Sequence, residues 1–289
     1  MHTRYILSGI IIFYFMMFVS PLVLSAEQES IFVHFINVGQ GDSILVQTPE
    51  NKHILIDGGP PRSGKKVVQY LKKQNVKKID LLIATHPDID HIGGLINVLK
   101  SIPVKKALDI GKVHTTKTFM GYMYQLFKQK TPLVIAEEGK MLDVSETVEL
   151  KVLNAYDSGE NNNEASLVLQ LSYGEINFLF MGDVGKEVES QLLDEYNLQA
   201  DIMKIGHHGS KTSTSLSFLE AVNPQIAFIT YQQGNKYGHP VDHVIQNLHR
   251  VDAQIFSTGV YGDTVVETDG EKYIVLPEKS PLDGLEHAK

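Results

Sequence analysis

The sequence predicts a mixed α/β fold in which two β-sheets pack together and helices cover the outside. Three observations carry this expectation. Short apolar runs rich in β-branched residues open each half of the chain, segments with helical periodicity lie among them, and no low-complexity linker divides the halves. With 289 residues, 43% hydrophobic and 21% charged, the chain can bury one sizeable core. Residues 27–280 are expected to form a single domain, with a polar tail over 281–289.

The first segment stands apart from that domain. Arg4 precedes a nearly continuous apolar run from Tyr5 to Leu24, and Ser25-Ala26 precede polar sequence from Glu27. Residues 1–26 therefore read as a signal peptide cleaved near Ala26. A run of about 20 residues also suffices as an N-terminal membrane anchor, which would tether the protein. Either way the remainder is expected to be secreted or on the extracellular face of the membrane.

Strand-like alternation begins at Ile31 and runs to Val38, and Ser43 to Gln47 and His53 to Ile56 follow around a Pro49-Glu50-Asn51-Lys52 turn. Lys65 to Asn75 has helical periodicity, with Val67, Val68 and Leu71 inward. Leu81 to Ala84 reads as a buried strand, Leu95 to Lys100 and Thr116 to Gln129 as helices, and Leu133 to Ile135 and Thr147 to Leu153 as strands. Ser166 to Tyr173 and Ile176 to Met181 form an antiparallel pair around Tyr173-Gly174-Glu175. Helices over 186–196, 214–221 and 241–250 then alternate with strands over 201–205, 225–230 and 254–257. Residues 264–267 and 272–276 complete the pattern as a small hairpin.

The densest chemistry lies in Thr85-His86-Pro87-Asp88-Ile89-Asp90-His91-Ile92-Gly93-Gly94, directly after a buried strand. Two imidazoles and two carboxylates within six residues, presented from a strand end, are the donor set of a divalent metal site. With no cysteine in the chain, thiolate ligation, disulfides, a cysteine nucleophile and lipid modification are excluded, so any metal is held by His, Asp, Glu or Asn.

Five segments in order resemble the metallo-β-lactamase fold, and most closely its ComEC-like branch, named for the hydrolase domain of a competence DNA-uptake protein. They are Asn37-Val38-Gly39-Gln40-Gly41-Asp42-Ser43, Leu55-Ile56-Asp57-Gly58-Gly59, the His86 to Gly94 loop, Phe180-Met181-Gly182-Asp183, and Lys204-Ile205-Gly206-His207-His208-Gly209-Ser210. The resemblance implies a four-layer αββα sandwich with two divalent metal ions at its rim. It places His86 and Asp88 on one ion, Asp90 and His91 on the other, and Asp183 between them, with His207 or His208 completing the second site. Strand alternation lets only one of that pair point inward, and His207 is taken as the ligand. Asp42 and Asp57 are expected to support the loop from behind.

Two departures from the family pattern matter. Its commonest loop is His-x-His-x-Asp-His, and here Asp88 replaces an imidazole, which hardens the site and favours Mn2+ relative to Zn2+. The usual further histidine is replaced by the stretch Asn161 to Ser166, as in ComEC-like proteins.

The chemistry implied is hydrolysis by a metal-activated water, with Asp90 orienting the nucleophile and His239, in Tyr237-Gly238-His239-Pro240, as a proton donor to the leaving group. The expected substrate is a phosphoester, in nucleic acid or a cell-wall phosphodiester. A β-lactam or thioester hydrolase, or a metal-bound module without catalysis, is the alternative. Without residues 1–26 the chain carries 25 Lys plus Arg against 34 Asp plus Glu, which argues against a broad nucleic-acid-binding surface.

Gly59 to Lys66 approaches a nucleotide-binding loop, but Lys66 stands where Ser or Thr is required and Pro60 and Pro61 lack amide hydrogens, so no nucleotide cofactor is expected. Lys65, Lys66, Lys72, Lys73, Lys77 and Lys78 read as a solvated helix face or an anion-binding rim near the site. Tyr122, Tyr124 and Phe127 read as packing residues.

Overall fold

The computed structural model describes residues 29–155 and 161–280; the N-terminal segment and the polar tail lie outside these. β1 (Ile31–Phe35), β2 (Ile44–Gln47), β3 (His53–Ile56), β4 (Leu81–Ile83), β5 (Ala107–Asp109) and β6 (Leu133–Ile135) are neighbours in that order in the first sheet. β7 (Glu149–Asn154), β8 (Val168–Tyr173), β9 (Ile176–Phe180), β10 (Ile202–Lys204), β11 (Ile226–Ile229) and β12 (Gln254–Ser257) form the second. β13 (Thr264–Thr268) and β14 (Tyr273–Pro277) then return to the first sheet, β13 pairing antiparallel with β1. The expected terminal hairpin is therefore the edge of an eight-stranded sheet.

Between the sheets lies a core of inward side chains that includes Val33, Phe35, Ile54, Ile56, Leu169, Phe178 and Phe228. Phe35 from the first sheet stacks on Phe228 from the second with centroids 3.8 Å apart. Helices Gly64–Lys73, Leu95–Ser101 and Lys117–Gln129 cover the outer face of the first sheet through Val67, Leu71, Leu95, Val98, Tyr122 and Leu126. Helices Lys186–Glu195, Leu216–Val222 and Asp242–Arg250 cover the second through Val188, Leu192, Phe218, Leu219, Val244 and Leu248. The result is the αββα sandwich. Covered on both faces, β3, β4 and β11 are continuous apolar runs rather than alternating ones.

Element starts follow local chemistry. Thr116 caps Lys117–Gln129 by accepting from the Phe119 amide, and Lys130 ends it in the left-handed region. Ser215 caps Leu216–Val222 in the same way. Three short strands or α-helices escape sequence periodicity: β5, of three residues, the one-turn helix Ile89–Ile92 inside the His/Asp loop, and the helix Thr258–Tyr261. Tyr122, at 1% exposure, is core, but Tyr124 and Phe127 are 58% and 81% exposed, against the packing expected of them. Residues two apart on a helix face different ways, so Tyr122 and Tyr124 have no common face to bury. Among the described residues, no helix is long and apolar enough to cross a membrane.

β1, β3, β4, β5 and β6 run parallel, as do β9, β10, β11 and β12. The loops leaving the carboxyl ends of β1, β4, β9, β10 and β11 therefore meet at one rim. Glycine sets how closely they meet. The Gly94 amide donates to Gly59 O at 2.7 Å and the Gly58 amide to His91 O at 2.8 Å. A Cβ on Gly94 would lie 1.9 Å from Gly58 O.

Gly94→Ala is accordingly expected to cost about 3 kcal/mol or more through overpacking that only backbone movement relieves. Thermal unfolding of the purified variant should show a lowered midpoint; an unchanged midpoint would mean the loops separate freely.

Candidate metal centre

β4 ends in the chain of Thr85 and His86, and the one-turn helix after it carries Asp90 and His91. Asp183 follows β9, and the Gly206–Gly209 turn carrying His207 and His208 follows β10. Asp183, 3% exposed, aims one carboxylate oxygen, Oδ2, into a ring of imidazole nitrogens. His91 Nε2 lies 3.2 Å from it, His208 Nε2 3.3 Å, His207 Nε2 3.8 Å and His86 Nε2 4.0 Å. Asp88 Oδ2 is 3.8 Å from His86 Nε2, and Asp90 Oδ2 is 3.7 Å from His208 Nε2. Ligand atoms of His86, His91 and Asp183 fall within 4.8 Å of one another, and so do those of Asp90, His91 and His208.

The fit to a cation rests on what these atoms lack. His86 Nε2, His91 Nε2, His208 Nε2 and Asp183 Oδ1 are all buried without a hydrogen-bond partner. Buried polar atoms are ordinarily satisfied, and three orphaned imidazole nitrogens converging on the Asp183 carboxylate fit the donor set of a divalent ion.

Geometry separates His207, the expected ligand, from its neighbour His208. His208 is buried and belongs to the ligand groups, whereas the His207 side chain is 24% exposed, stands beside Thr212 Oγ1 at 3.4 Å and meets the His239 ring edge-on at 5.7 Å. Strand alternation fails here because both histidines adopt the left-handed region, with φ of 46° and 55°, in a tight turn. His239 sits at the lip of the site, between His207 and a stacked Tyr237 ring.

A layer of partners fixes the ligands from behind. Asp57, fully buried and itself at φ 56°, accepts from the Thr85 amide at 2.9 Å, the Thr85 hydroxyl at 2.7 Å and His91 Nδ1 at 2.7 Å. That contact leaves Nε2 of His91 to face the site. Asp42 pairs with the buried Lys204 ammonium at 2.7 Å, accepts from the Thr230 hydroxyl, and stands 3.4 Å from His208 Nδ1. Asp57 thus supports the His/Asp loop from behind, whereas the Asp42 carboxylate, expected to do the same, instead holds Lys204, Thr230 and His208. Asn162 donates to Asp88 Oδ1 at 2.7 Å, and Ser166 Oγ accepts from the Asp183 amide at 3.2 Å. Thr85, Asn162, Thr230 and Lys204 carried no role in the sequence. Thr85 and Lys204 lay within quoted motifs, and Thr230 had no signal.

Charges follow the same layout in the metal-free protein. Burial pushes His91 and His208 down, but the Asp183 carboxylate, with Asp57 at His91 and Asp42 at His208, outweighs it. His91 is held well above the ordinary range and His208 at about 9. Burial lowers His86 to about 4, helped by the neighbouring His91. Burial also opposes ionisation of Asp183, yet His208 and His91 hold it well below the ordinary range. His239 is lowered by burial and then by His207 and His208.

Comparison with known proteins identifies the arrangement. The family described as Metallo-beta-lactamase superfamily matches residues 36–232. This chain belongs to the metallo-beta-lactamase superfamily. Within it the chain is ComEC-like. It is 34% identical over 270 residues to ComE operon protein 3 of Bacillus subtilis, covering 86% of this chain and 34% of that protein. It is 29% identical over 231 residues to Competence protein ComA of Neisseria gonorrhoeae, covering 78% and 30%. The chain thus spans about a third of the length of these relatives. Among solved structures, the metallo-beta-lactamase fold protein YhfI from Bacillus subtilis superposes with a TM-score of 0.55 at 12% identity, over 83% of this chain and all of that one. The last of these carries the fold alone.

Two outcomes follow. His208→Ala is expected to lower bound metal at least tenfold, a loss of ligand or partner of the size seen around metal sites, while His207→Ala retains most of it. Elemental analysis of both proteins decides, and the reverse order would reassign the ligand. In chelator, raised His208 and His91 contribute stability that is complete below about pH 6.5 and lost as pH rises through about 9. Lowered His86 opposes folding in acid, removing stability as pH falls from about 6.5 to about 4. Thermal unfolding of metal-free protein should therefore peak near pH 6.5, and a midpoint still rising towards pH 9 would contradict the charge assignment.

Proposed function

We propose that this protein is an exported metal-dependent phosphoesterase, acting on phosphodiesters through two divalent ions, Zn2+ or Mn2+. The observation that carries the reading is the donor set: three imidazoles and the carboxylates Asp88, Asp90 and Asp183 converge at a rim that opens onto a cationic cavity. That cavity, about 520 Å3, is lined by Asp90, Arg62, Lys236 and Tyr237. Oxygen-rich ligation suits hard ions and phosphoryl oxygens better than a thiolate or all-imidazole site would. Bound ions of this kind supply an activated water and a positive field for phosphoryl oxygens.

The chain's own residues supply the rest. Asp90 is 27% exposed, the carboxylate facing both His208 and the cavity, and so can hold the attacking water and accept its proton. Arg62 is held by Gln232 Oε1 at 2.9 Å and presents its guanidinium beside the cavity, suited to a phosphate oxygen. His239, at the lip, is within the layer that a leaving alkoxide would cross and is assigned as proton donor. Export rests on the apolar run of residues 5–24 followed by Ser25-Ala26. Nucleic acid and cell-wall phosphodiesters both present the required bond, and the acidic balance of the chain favours a substrate gripped locally at this rim.

Metal-loaded protein should hydrolyse bis-(para-nitrophenyl) phosphate and leave nitrocefin intact; turnover of nitrocefin alone would replace this reading with a β-lactamase one. Asp90→Asn should reduce phosphodiester turnover by about 100-fold or more while its unfolding midpoint stays within a few degrees, as for loss of a positioned acid–base group.

A further inference from the structure

The end of the molecule opposite the metal centre carries an unexplained charge pattern. Residues 64–136 contain thirteen lysines against four aspartates and no glutamate or arginine, in a chain whose net charge is −8. Nine of those lysines lie on three segments that end the outer helices and lead into β4, β5 and β6. Lys72, Lys73, Lys77 and Lys78 belong to the first segment, Lys100, Lys105 and Lys106 to the second, and Lys128 and Lys130 to the third. All nine are exposed, and among the described residues only Lys78 forms an ion pair, with Asp80 at 2.9 Å.

These segments form one surface. Ile79 donates to Pro103 O and Lys105 to Ile79 O, both at 2.9 Å, joining the first segment to the second. The Gln129 amide group bonds Leu99 O at 2.6 Å and Ile102 O at 2.9 Å, joining the second to the third. A concavity of about 480 Å3 lies between them, flanked by Lys100 and Lys128. Helix dipoles favour lysine at the ends of helices and account for Lys72, Lys73, Lys100 and Lys128. They do not account for Lys77, Lys105, Lys106 and Lys130, which lie outside the helices.

Apolar side chains stand beside this charge. Met120, Tyr124 and Phe127 recur on the outward face of Lys117–Gln129 and are 62%, 58% and 81% exposed. A helix with one face in the core and a second apolar stripe flanked by Lys117 and Lys128 fits an interface between water and lipid. β1 begins at the same end. Glu29 precedes β1 and lines one surface with the Thr48, Pro49 and Asn51 turn, which leads into β3 beside Asp80. Glu29 and Glu50 lie on the flank towards the second sheet, away from the lysines.

We propose that this lysine-rich end, with the Met120–Tyr124–Phe127 stripe, docks on the surface of an anionic lipid bilayer and turns the metal centre away from it. Anionic headgroups meet the nine lysines, and Phe127 enters the headgroup layer. The surface acts independently of catalysis, since none of its residues reaches the metal centre.

Because the chain has no cysteine, Ser101→Cys and Lys211→Cys each give one labelling site, at the docking end and beside the metal centre respectively. The full 289-residue chain, labelled with a fluorophore, is mixed with vesicles of phosphatidylcholine alone or with added phosphatidylglycerol, and quenching by a soluble quencher is measured. Protection is expected at Ser101 only, on the anionic vesicles only, and reversed by salt. Each lysine near such a surface strengthens binding about fivefold, so Lys100→Gln, Lys105→Gln and Lys106→Gln together should raise the lipid needed for protection by about a hundredfold. Equal protection on phosphatidylcholine, or at both labels, would overturn the proposal. So would protection without vesicles, whether by soluble polyphosphate or by raised protein concentration; the first would mark a polyanion site and the second a contact between copies.

Discussion

A single carboxylate oxygen dictates much of this structure. Asp183 Oδ2 is buried and surrounded by four imidazole nitrogens between 3.2 and 4.0 Å away. Burying a charge without compensation costs several kcal/mol or more, so the fold must bring cationic partners or a metal to that point. In the metal-free protein the compensation comes from protons on His91 and His208. A bound metal would displace them, which would couple affinity and folding through the same few atoms. The carboxylates behind the imidazoles are held just as firmly: Asp57 by Thr85 and His91, Asp42 by Lys204 and Thr230. His91 and His208 are thereby each held in place by a carboxylate that is itself satisfied.

Such an arrangement requires two sheets whose strand ends coincide. His86 and His91 come from the first sheet, Asp183 and His208 from the second, and Phe35 on Phe228 is one contact that registers the sheets. Lys204 to Asp42 is another, made directly behind the site and joining β10 to the loop after β1. A loop that drifted by an ångström would break it and expose the orphaned nitrogens to the wrong geometry. The backbone contact of Gly94 with Gly58 serves the same purpose from within the first sheet.

Much of this was legible in the sequence because the ligands lie in short segments that directly follow apolar runs. Once Leu81 to Ile83 is recognised as a strand, His86 to His91 has to leave its end, and the same holds for Asp183 after Phe180. What escaped depends on conformation or distance along the chain. His208 replaced His207 because two successive residues enter the left-handed region, which alternation does not anticipate. Thr230 reaches Asp42 across 188 positions with no local signature. β5 is too short for periodicity to show. Of the lysines read as one helix face, Lys65, Lys66, Lys72 and Lys73 do lie on the helix Gly64–Lys73, and Lys77 and Lys78 follow it into β4, at the end away from the site.

Asp88 illustrates how one substitution propagates. Were Asp88, Asp90 and Asp183 to hold a pair of divalent ions, the three carboxylates would leave one net positive charge, where an imidazole at position 88 would leave two. The centre then attracts an anionic substrate less strongly by itself, and fixed cations beside it matter more. Arg62, held by Gln232, and Lys236, lying 5.1 Å over the Tyr237 ring, occupy that position in the adjoining cavity. Asn162 also gains a purpose: by donating to Oδ1 of Asp88 it leaves Oδ2 for the site, a selection that an imidazole ligand would not require. The departure from the common loop and the asparagine stretch are therefore in direct contact. Altering either alone would leave a carboxylate misdirected or an amide without its acceptor.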